Sequence, residues 1–189
     1  MFSHRNTGRR AAAVSLGILT VAAIAQAAQA ETPDPFVLVA YSNRAGGQPL
    51  MRGDYGGAAQ AVQSQGDGAL GDPQALDTNR CVAYAMTQQL AQARVACQAA
   101  VRAAQEADWQ SGSPRARRQS AVSAAMAYSN RAVLDWLQAQ PAAAQRDLAR
   151  AQALAPQAIF VARNMTAIRA HQNVTSQVAA TATLAGAHE

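Results

Sequence analysis

Two stretches of the chain, residues 79–104 and 130–155, align with each other without a gap, and both begin Asn-Arg. Their shared positions hold small or apolar residues in both copies: Ala93 with Ala144, Cys97 with Leu148, and Ala100 with Ala151. A third asparagine, Asn164, follows further along the chain. A repeat that is rich in alanine and poor in aromatic residues predicts closely packed helical hairpins. The fold class expected is therefore all-α.

Residues 1–30 have the composition of an export signal. Arg5, Arg9 and Arg10 form a positive region, an apolar run covers 11–24, and residues 28–30 read Ala-Gln-Ala. This pattern predicts a Sec-type signal peptide cleaved after Ala30, because the apolar run is too short for a membrane span. Three alanines follow the arginine pair where a twin-arginine signal would have bulky apolar residues. A periplasmic or secreted bacterial protein is expected, without membrane insertion after cleavage.

Charge and composition narrow the function classes. The net charge of +5 includes the three arginines of residues 1–30, which contain no acidic residue, so the mature chain carries only +2. This balance does not favour nucleic-acid binding. The mature chain has a length that fits one domain.

Proline, glycine and capping residues divide the mature chain. Residues 31–76 are expected to form an irregular lead-in with one short helix at about 54–65, and the pattern allows a short strand at 36–40. Residues 77–172 should form the helical domain. Helix A starts at either Asp72-Pro73 or Asp77 and runs to Gln88, and helix B follows from Ala91. A long helix should run from Pro114 to Gln140, with further helices from Pro141 and from Gln157. Residues 173–189 are small, polar and expected to be a flexible tail.

The repeat resembles the tetratricopeptide family, whose helix–turn–helix unit recurs at the spacing that separates Asn130 from Asn164. The second copy supplies the small, bulky and proline positions of that unit: Ala132, Ala144, Leu148, Ala151 and Pro156. The family's aromatic at the fourth position is Tyr128 in this copy but Asp77 in the preceding one. The resemblance implies about two and a half repeats, the last with only its first helix.

The two cysteines occupy matching slots of one hairpin. By the resemblance, Cys81 lies on its first helix and Cys97 on its second, both facing the hairpin interior. In an oxidising compartment they would form a disulfide closing a loop of about 16 residues, worth roughly 3 kcal/mol. The alternative is that both are packing residues, since the second copy has Ala and Leu in these slots.

The resemblance also implies a partner-binding groove. Asn79, Asn130 and Asn164 share the sixth position of the first helix, which faces the concave side and can bind a peptide backbone. The remaining residues expected there are Val82, Met86, Val133, Trp136 and Arg163. The alternatives stay open: the asparagines can instead cap local structure, and Trp136 can belong to the core.

The sequence offers little for catalysis. The mature chain has two histidines, His171 and His188, both at or beyond the last predicted helix, and no metal-ligand, cofactor or phosphate-loop motif. A basic cluster, Arg115, Arg117 and Arg118, suits either an acidic partner or a solvated helix start. No cofactor or enzymatic activity is therefore expected.

The function predicted is a non-enzymatic scaffold or adaptor of the cell envelope that binds an unidentified protein or peptide. The alternative is a structural, self-associating protein. The unfinished third repeat would leave an apolar face, including Phe160 and Ile168, to be covered either by the N-terminal segment or by a second copy, a homo-oligomer.

Overall fold

A computed structural model describes residues 36–65, 72–107 and 112–186, with only the backbone for 174–186. The described residues form seven helices: α1 (Gly47–Met51), α2 (Tyr55–Ser64), α3 (Pro73–Met86), α4 (Leu90–Glu106), α5 (Pro114–Leu137), α6 (Pro141–Leu154) and α7 (Ile159–Gly186). No strand occurs among these residues, and the all-α prediction is confirmed. None of their helices is long and apolar enough to cross a membrane. The predicted signal peptide, residues 1–30, lies outside the described residues.

The helix starts follow from local chemistry. Asp54 accepts a hydrogen bond from the backbone N–H of Gly57 at 2.9 Å, and Ser113 accepts one from Ala116 at 3.3 Å. A side-chain oxygen at this position stabilises the helix because the first N–H groups have no partner within it. Helices α3, α5 and α6 also have proline in their first turn, where no N–H is needed. The predicted helix starts at 114 and 141, and the short helix at 54–65, agree with the structure.

The turns of the two hairpins, α3–α4 and α5–α6, have the same geometry. Gln88 and Ala139, which occupy matching positions of the two hairpins, have left-handed backbone angles, with φ of 60° and 55°. The N–H of the next residue donates to a carbonyl five positions back, at 2.8 Å in both turns. This hydrogen bond closes a Schellman motif. The repeat seen in the sequence is therefore a repeat of backbone geometry.

The hairpin interiors are closely packed around small residues. The matched positions are almost fully buried: Ala93 at 0% exposure, Ala144 at 0%, Cys97 at 0%, Leu148 at 3%, Ala100 at 1% and Ala151 at 0%. Cys81 and Cys97 are joined in a disulfide, which confirms their predicted pairing and links α3 to α4. Small side chains at these positions let the helix axes approach closely.

Residues 36–40 do not form a strand. Their backbone is extended, but asparagine side chains, not a second strand, accept and donate its hydrogen bonds. The lead-in also contains a helix that was not predicted, α1. Helix α3 begins at Pro73, the earlier of the two predicted starts, four residues before the expected domain boundary at 77. Asp72 explains the early start of α3, because its side chain accepts from the N–H of Ala75.

The predicted flexible tail at 173–189 is wrong for its first part, since α7 continues to Gly186. Residues 173–185 contain no proline or glycine to end a helix, and they include several alanines. Small polar composition was therefore a poor guide to the end of this helix.

Candidate functional site

Three buried asparagines lie on three different helices and point to one side of the molecule. Asn79 on α3, Asn130 on α5 and Asn164 on α7 each have 0% exposed surface. We refer to them as the asparagine ladder. Burying a primary amide is costly unless its donors and acceptor find partners. Their hydrogen bonds therefore indicate what the site is built to hold.

Each ladder asparagine binds the backbone of one residue of the same chain's N-terminal segment, residues 36–41, here termed the bound segment. Asn164 accepts from the N–H of Val37 at 2.7 Å and donates to its carbonyl at 2.9 Å. Asn130 makes the same pair with Val39, at 2.9 and 2.8 Å. Asn79 makes it with the residue two further on, at 2.7 and 2.9 Å.

That third residue is Tyr41, so the ladder holds every second residue. In an extended chain, the N–H and C=O of one residue point to the same side, and those of its neighbours point to the other. A carboxamide has one acceptor and a two-hydrogen donor side by side, so it can pair with both groups as an adjacent strand would. The ladder therefore replaces a neighbouring strand with three side chains, at intervals of about 7 Å along the bound segment.

Further hydrogen bonds fix the amides in place. The Nδ2 of Asn164 also donates to the hydroxyl of Ser129 at 2.9 Å, and that of Asn79 donates to the carbonyl of Ala45 at 3.0 Å. These bonds restrict the side-chain rotation of Asn164 and Asn79.

Alternate residues of the bound segment make different kinds of contact: odd-numbered residues form backbone hydrogen bonds, and the even-numbered residues Phe36 and Leu38 pack their side chains against the core. Val37 and Val39 are held by their backbone, while the side chain of Phe36 packs against the core around α7 and that of Leu38 packs against the core around the disulfide. The Phe36 ring stacks on His171, with centroids 5.6 Å apart. Apolar packing and backbone hydrogen bonds thus act at alternate residues.

Trp136, predicted to lie in the groove, is partly buried and packs against the same core as Phe36. Its ring centroid lies 6.2 Å from that of His171, which stands between the two aromatic residues. His171 was not predicted as a site residue. Its distance of seven positions from Asn164, two helical turns along the same face, is the signal that would have identified it.

Tyr41 ends the bound segment, and its side chain is half-buried. Burial raises the pKa of its hydroxyl, the Ser123 side chain acts in the opposite direction, and the negative charge of Asp72 adds to the increase. A neutral phenol is therefore favoured over the whole ordinary pH range, and this end of the segment carries no charge.

The other predicted groove residues have different surroundings. Val82 and Val133, each three positions after a ladder asparagine, are buried, and Met86 is half-buried. Arg163 is exposed, and none of the hydrogen bonds or ion pairs of the described residues joins it to the bound segment. These degrees of burial are those of the groove with residues 36–41 in place.

The arginine after each of the first two asparagines points away from the groove. Arg131 makes a bidentate pair with Asp147 of α6, at 2.5 and 2.8 Å, and stacks its guanidinium 5.5 Å above the ring of Tyr128. This pair raises the pKa of Arg131, and it fastens α5 to α6. In the first hairpin, Arg80 instead donates to carbonyls at the end of α2, including that of Gln65 at 2.6 Å. In each of these two Asn-Arg pairs, the asparagine therefore contacts the bound segment and the arginine contacts another helix.

Among residues 36–65, 72–107 and 112–186, no three His, Cys, Asp or Glu side chains cluster in a way that could hold a metal ion. The chain matches no protein-family model, no curated protein and no solved structure. Its site must therefore be interpreted from its own geometry.

Proposed function

We propose that this chain is a non-enzymatic, tetratricopeptide-like module of the cell envelope that binds an extended protein or peptide segment along the asparagine ladder. The observation that carries the proposal is the paired hydrogen bonding of each ladder asparagine to one residue's N–H and C=O. In this proposal the bound segment is an intrachain occupant, and a partner takes its place.

The chemistry of the contacts favours exchange of the occupant. The six ladder hydrogen bonds go to backbone groups, which every non-proline residue offers. The bound segment is half-buried, so it can leave without opening the hairpin cores. Peptides that add to a sheet edge are recognised in the same way, through main-chain hydrogen bonds with pockets for alternate side chains.

The proposed location follows from the same part of the chain. Cleavage after Ala30 would leave Phe36 as the sixth residue of the mature chain, so the bound segment would be an arm with a nearby free end. The disulfide suits an oxidising compartment such as the periplasm. Mass spectrometry of the purified periplasmic protein tests this point: a mature N-terminus at Glu31 is expected, and an intact residue 1 would contradict export with cleavage.

The binding test needs a full-length chain whose groove is free. In the double variant Val37→Pro/Val39→Pro, two of the three N–H groups held by the ladder are absent, so the segment should detach. A fluorescent peptide with the sequence of residues 36–44 should bind this variant saturably in an anisotropy titration. Binding to the unmodified chain should be weaker, because a tethered segment competes at an effective concentration of about 1 mM. The expected factor is this concentration divided by the Kd measured on the variant, about 100-fold for a Kd of about 10 μM.

Two controls make the result specific. The variant Ala40→Pro changes a neighbouring residue whose N–H makes no hydrogen bond within the described part of the chain, so it should keep the segment bound and the groove closed. Adding Asn130→Leu to the double proline variant should abolish binding. Equal binding with and without Asn130→Leu would refute the proposal.

A second measurement applies if the double proline variant loses its helical circular dichroism. Excess peptide is then added to the unmodified chain, and hydrogen exchange of the Val37 and Val39 amides is followed. Faster exchange of these amides with peptide supports displacement. Unchanged exchange at millimolar peptide would show that the segment is a permanent part of the fold.

The same contacts favour a second candidate function, self-association. Because the ladder holds backbone groups, the segment of a second copy fits the groove as well as the chain's own segment does. Segment exchange would then produce dimers or longer assemblies. Light scattering coupled to size exclusion distinguishes the two: a concentration-dependent increase in mass that Asn130→Leu abolishes supports exchange, and a monomer at all concentrations excludes it.

A further inference from the structure

We infer that the groove selects its ligand by register and direction: an extended segment with N–H groups at three alternate positions, apolar side chains between them, and an aromatic residue at its N-terminal end. This inference rests on the proposed peptide binding and specifies the class of peptide.

The register follows from which amides are held. The N–H and C=O groups of residues 37, 39 and 41 all pair with the ladder. The backbones of Leu38 and Ala40 make no hydrogen bond with the described residues. A ligand therefore needs a free N–H at positions one, three and five of this frame, where proline and N-methylated residues cannot donate. The intervening positions tolerate both.

The direction follows from the helix order. The segment passes from Asn164 on α7 to Asn130 on α5 and then to Asn79 on α3, opposite to the order of these helices in the chain. Its N-terminal end reaches the aromatic pair, with Phe36 stacked on His171. A peptide in the reverse direction would place its aromatic residue at the α3 end, away from His171.

The apolar positions follow from packing. Phe36 contacts the core around α7 and Leu38 contacts the core around the disulfide, while the intervening residue is held by its backbone. The backbone hydrogen bonds are the same for every sequence. Burial of a leucine or phenylalanine side chain therefore supplies most of the additional affinity. The ligand class is therefore apolar and uncharged over these positions.

Four peptides test the inference on the double proline variant of the full chain. The parent has the sequence of residues 36–44. One derivative is N-methylated at the residues corresponding to Val37 and Val39, another at those corresponding to Leu38 and Ala40, and a third has the residues corresponding to Phe36 and Ala40 exchanged, so that its N-terminal residue is alanine. Isothermal titration or anisotropy gives each Kd.

In-register N-methylation should weaken binding at least about 30-fold, because two hydrogen bonds are lost, each worth roughly a factor of five to ten. Out-of-register N-methylation should change Kd less than about threefold. The exchanged peptide should bind at least about tenfold more weakly, because its N-terminal residue has no aromatic ring to bury. Replacing His171 with alanine should reduce the advantage of phenylalanine over alanine at the residue corresponding to Phe36.

The outcomes separate the two levels of the proposal. If the parent binds but both N-methylated peptides bind equally well, the register is refuted and peptide binding stands. If the exchanged peptide matches the parent, the requirement for an aromatic residue at the N-terminal end is refuted, and the direction with it. If neither the parent nor any derivative binds the open groove, the proposed function itself is refuted, and the inference with it.

Discussion

Replacing Asn130 with aspartate tests the middle residue of the asparagine ladder. Aspartate keeps the acceptor of one hydrogen bond to Val39 and replaces the donor of the other with a second acceptor. The remaining Oδ1 can still accept from the N–H of Val39, as it does at 2.9 Å. The second oxygen takes the place of Nδ2, which lies 2.8 Å from the Val39 carbonyl oxygen. Two acceptors then face each other, unless the carboxyl group is protonated.

The expected cost depends on pH. Asn130 has 0% exposed surface, and an unpaired charge there should cost about 3–5 kcal/mol of unfolding free energy at neutral pH. The variant carboxyl group should therefore have a pKa above its unfolded value of about 3.9. A group with a raised folded-state pKa loses stability as pH rises from the unfolded to the folded pKa, by about 1.4 kcal/mol per unit. Below that window the protonated group can donate to the carbonyl.

Urea unfolding followed by circular dichroism, from pH 3.5 to 8, measures this effect as the difference from the wild-type chain at each pH. Asn130→Asp should approach wild-type stability at the acidic end and fall away above it. Asn130→Ala should show a deficit of about 2–3 kcal/mol that does not change with pH. Asn43→Asp, on an exposed residue, is the matched control and should stay within about 0.5 kcal/mol. A pH-independent deficit for Asn130→Asp would refute the assigned contacts.

Three further predictions concern the supports of the groove. Gly47→Ala should loosen the bound segment, since a Cβ there would lie 2.0 Å from the carbonyl oxygen of Tyr41. The control Gly56→Ala places no atom within 4 Å of its Cβ and should stabilise the chain by about 0.5–1 kcal/mol. Hydrogen exchange and urea unfolding measure both effects. Reducing the disulfide of Cys81 and Cys97 should lower the unfolding free energy by about 3 kcal/mol, and equal urea midpoints with and without reductant would contradict this. Burial, followed by the charge of a nearby carboxylate, raises the pKa of Asp135, so wild-type stability relative to Asp135→Asn should fall as pH rises above about 4, and a parallel pH profile would contradict it.

The sequence predicted the helical hairpins better than it predicted the segment that lies across them. Matched small residues such as Ala93 and Ala144 identified the hairpins, since close helix packing leaves a periodic mark. The three asparagines recur at one position of the repeat, and all three form hydrogen bonds with the same segment. Their contacts with residues 37–41 span 38 to 127 positions of sequence, and no local pattern encodes such a pairing.

The bound segment shows why local signals were insufficient. Its apolar run at 36–40 favoured a short strand, but strand propensity does not reveal whether the partner is a strand or a row of side chains. His171 was set aside because it lay near the end of the last predicted helix, which was placed too early. Because α7 extends to Gly186, His171 lies well before the end of the helix, and its ring stacks on that of Phe36.

The bound segment also changes how the helices should unfold. In a linear array of hairpins, each unit contacts only its neighbours, and the ends can fray independently. Here the segment runs across α7, α5 and α3 and ties the last helix to the first hairpin. Loss of α7 therefore removes the contacts of Asn164 and His171 with the N-terminal end of the segment. The bound segment should therefore make the unfolding of the helices more cooperative. A variant whose groove is empty should unfold in several transitions instead of one.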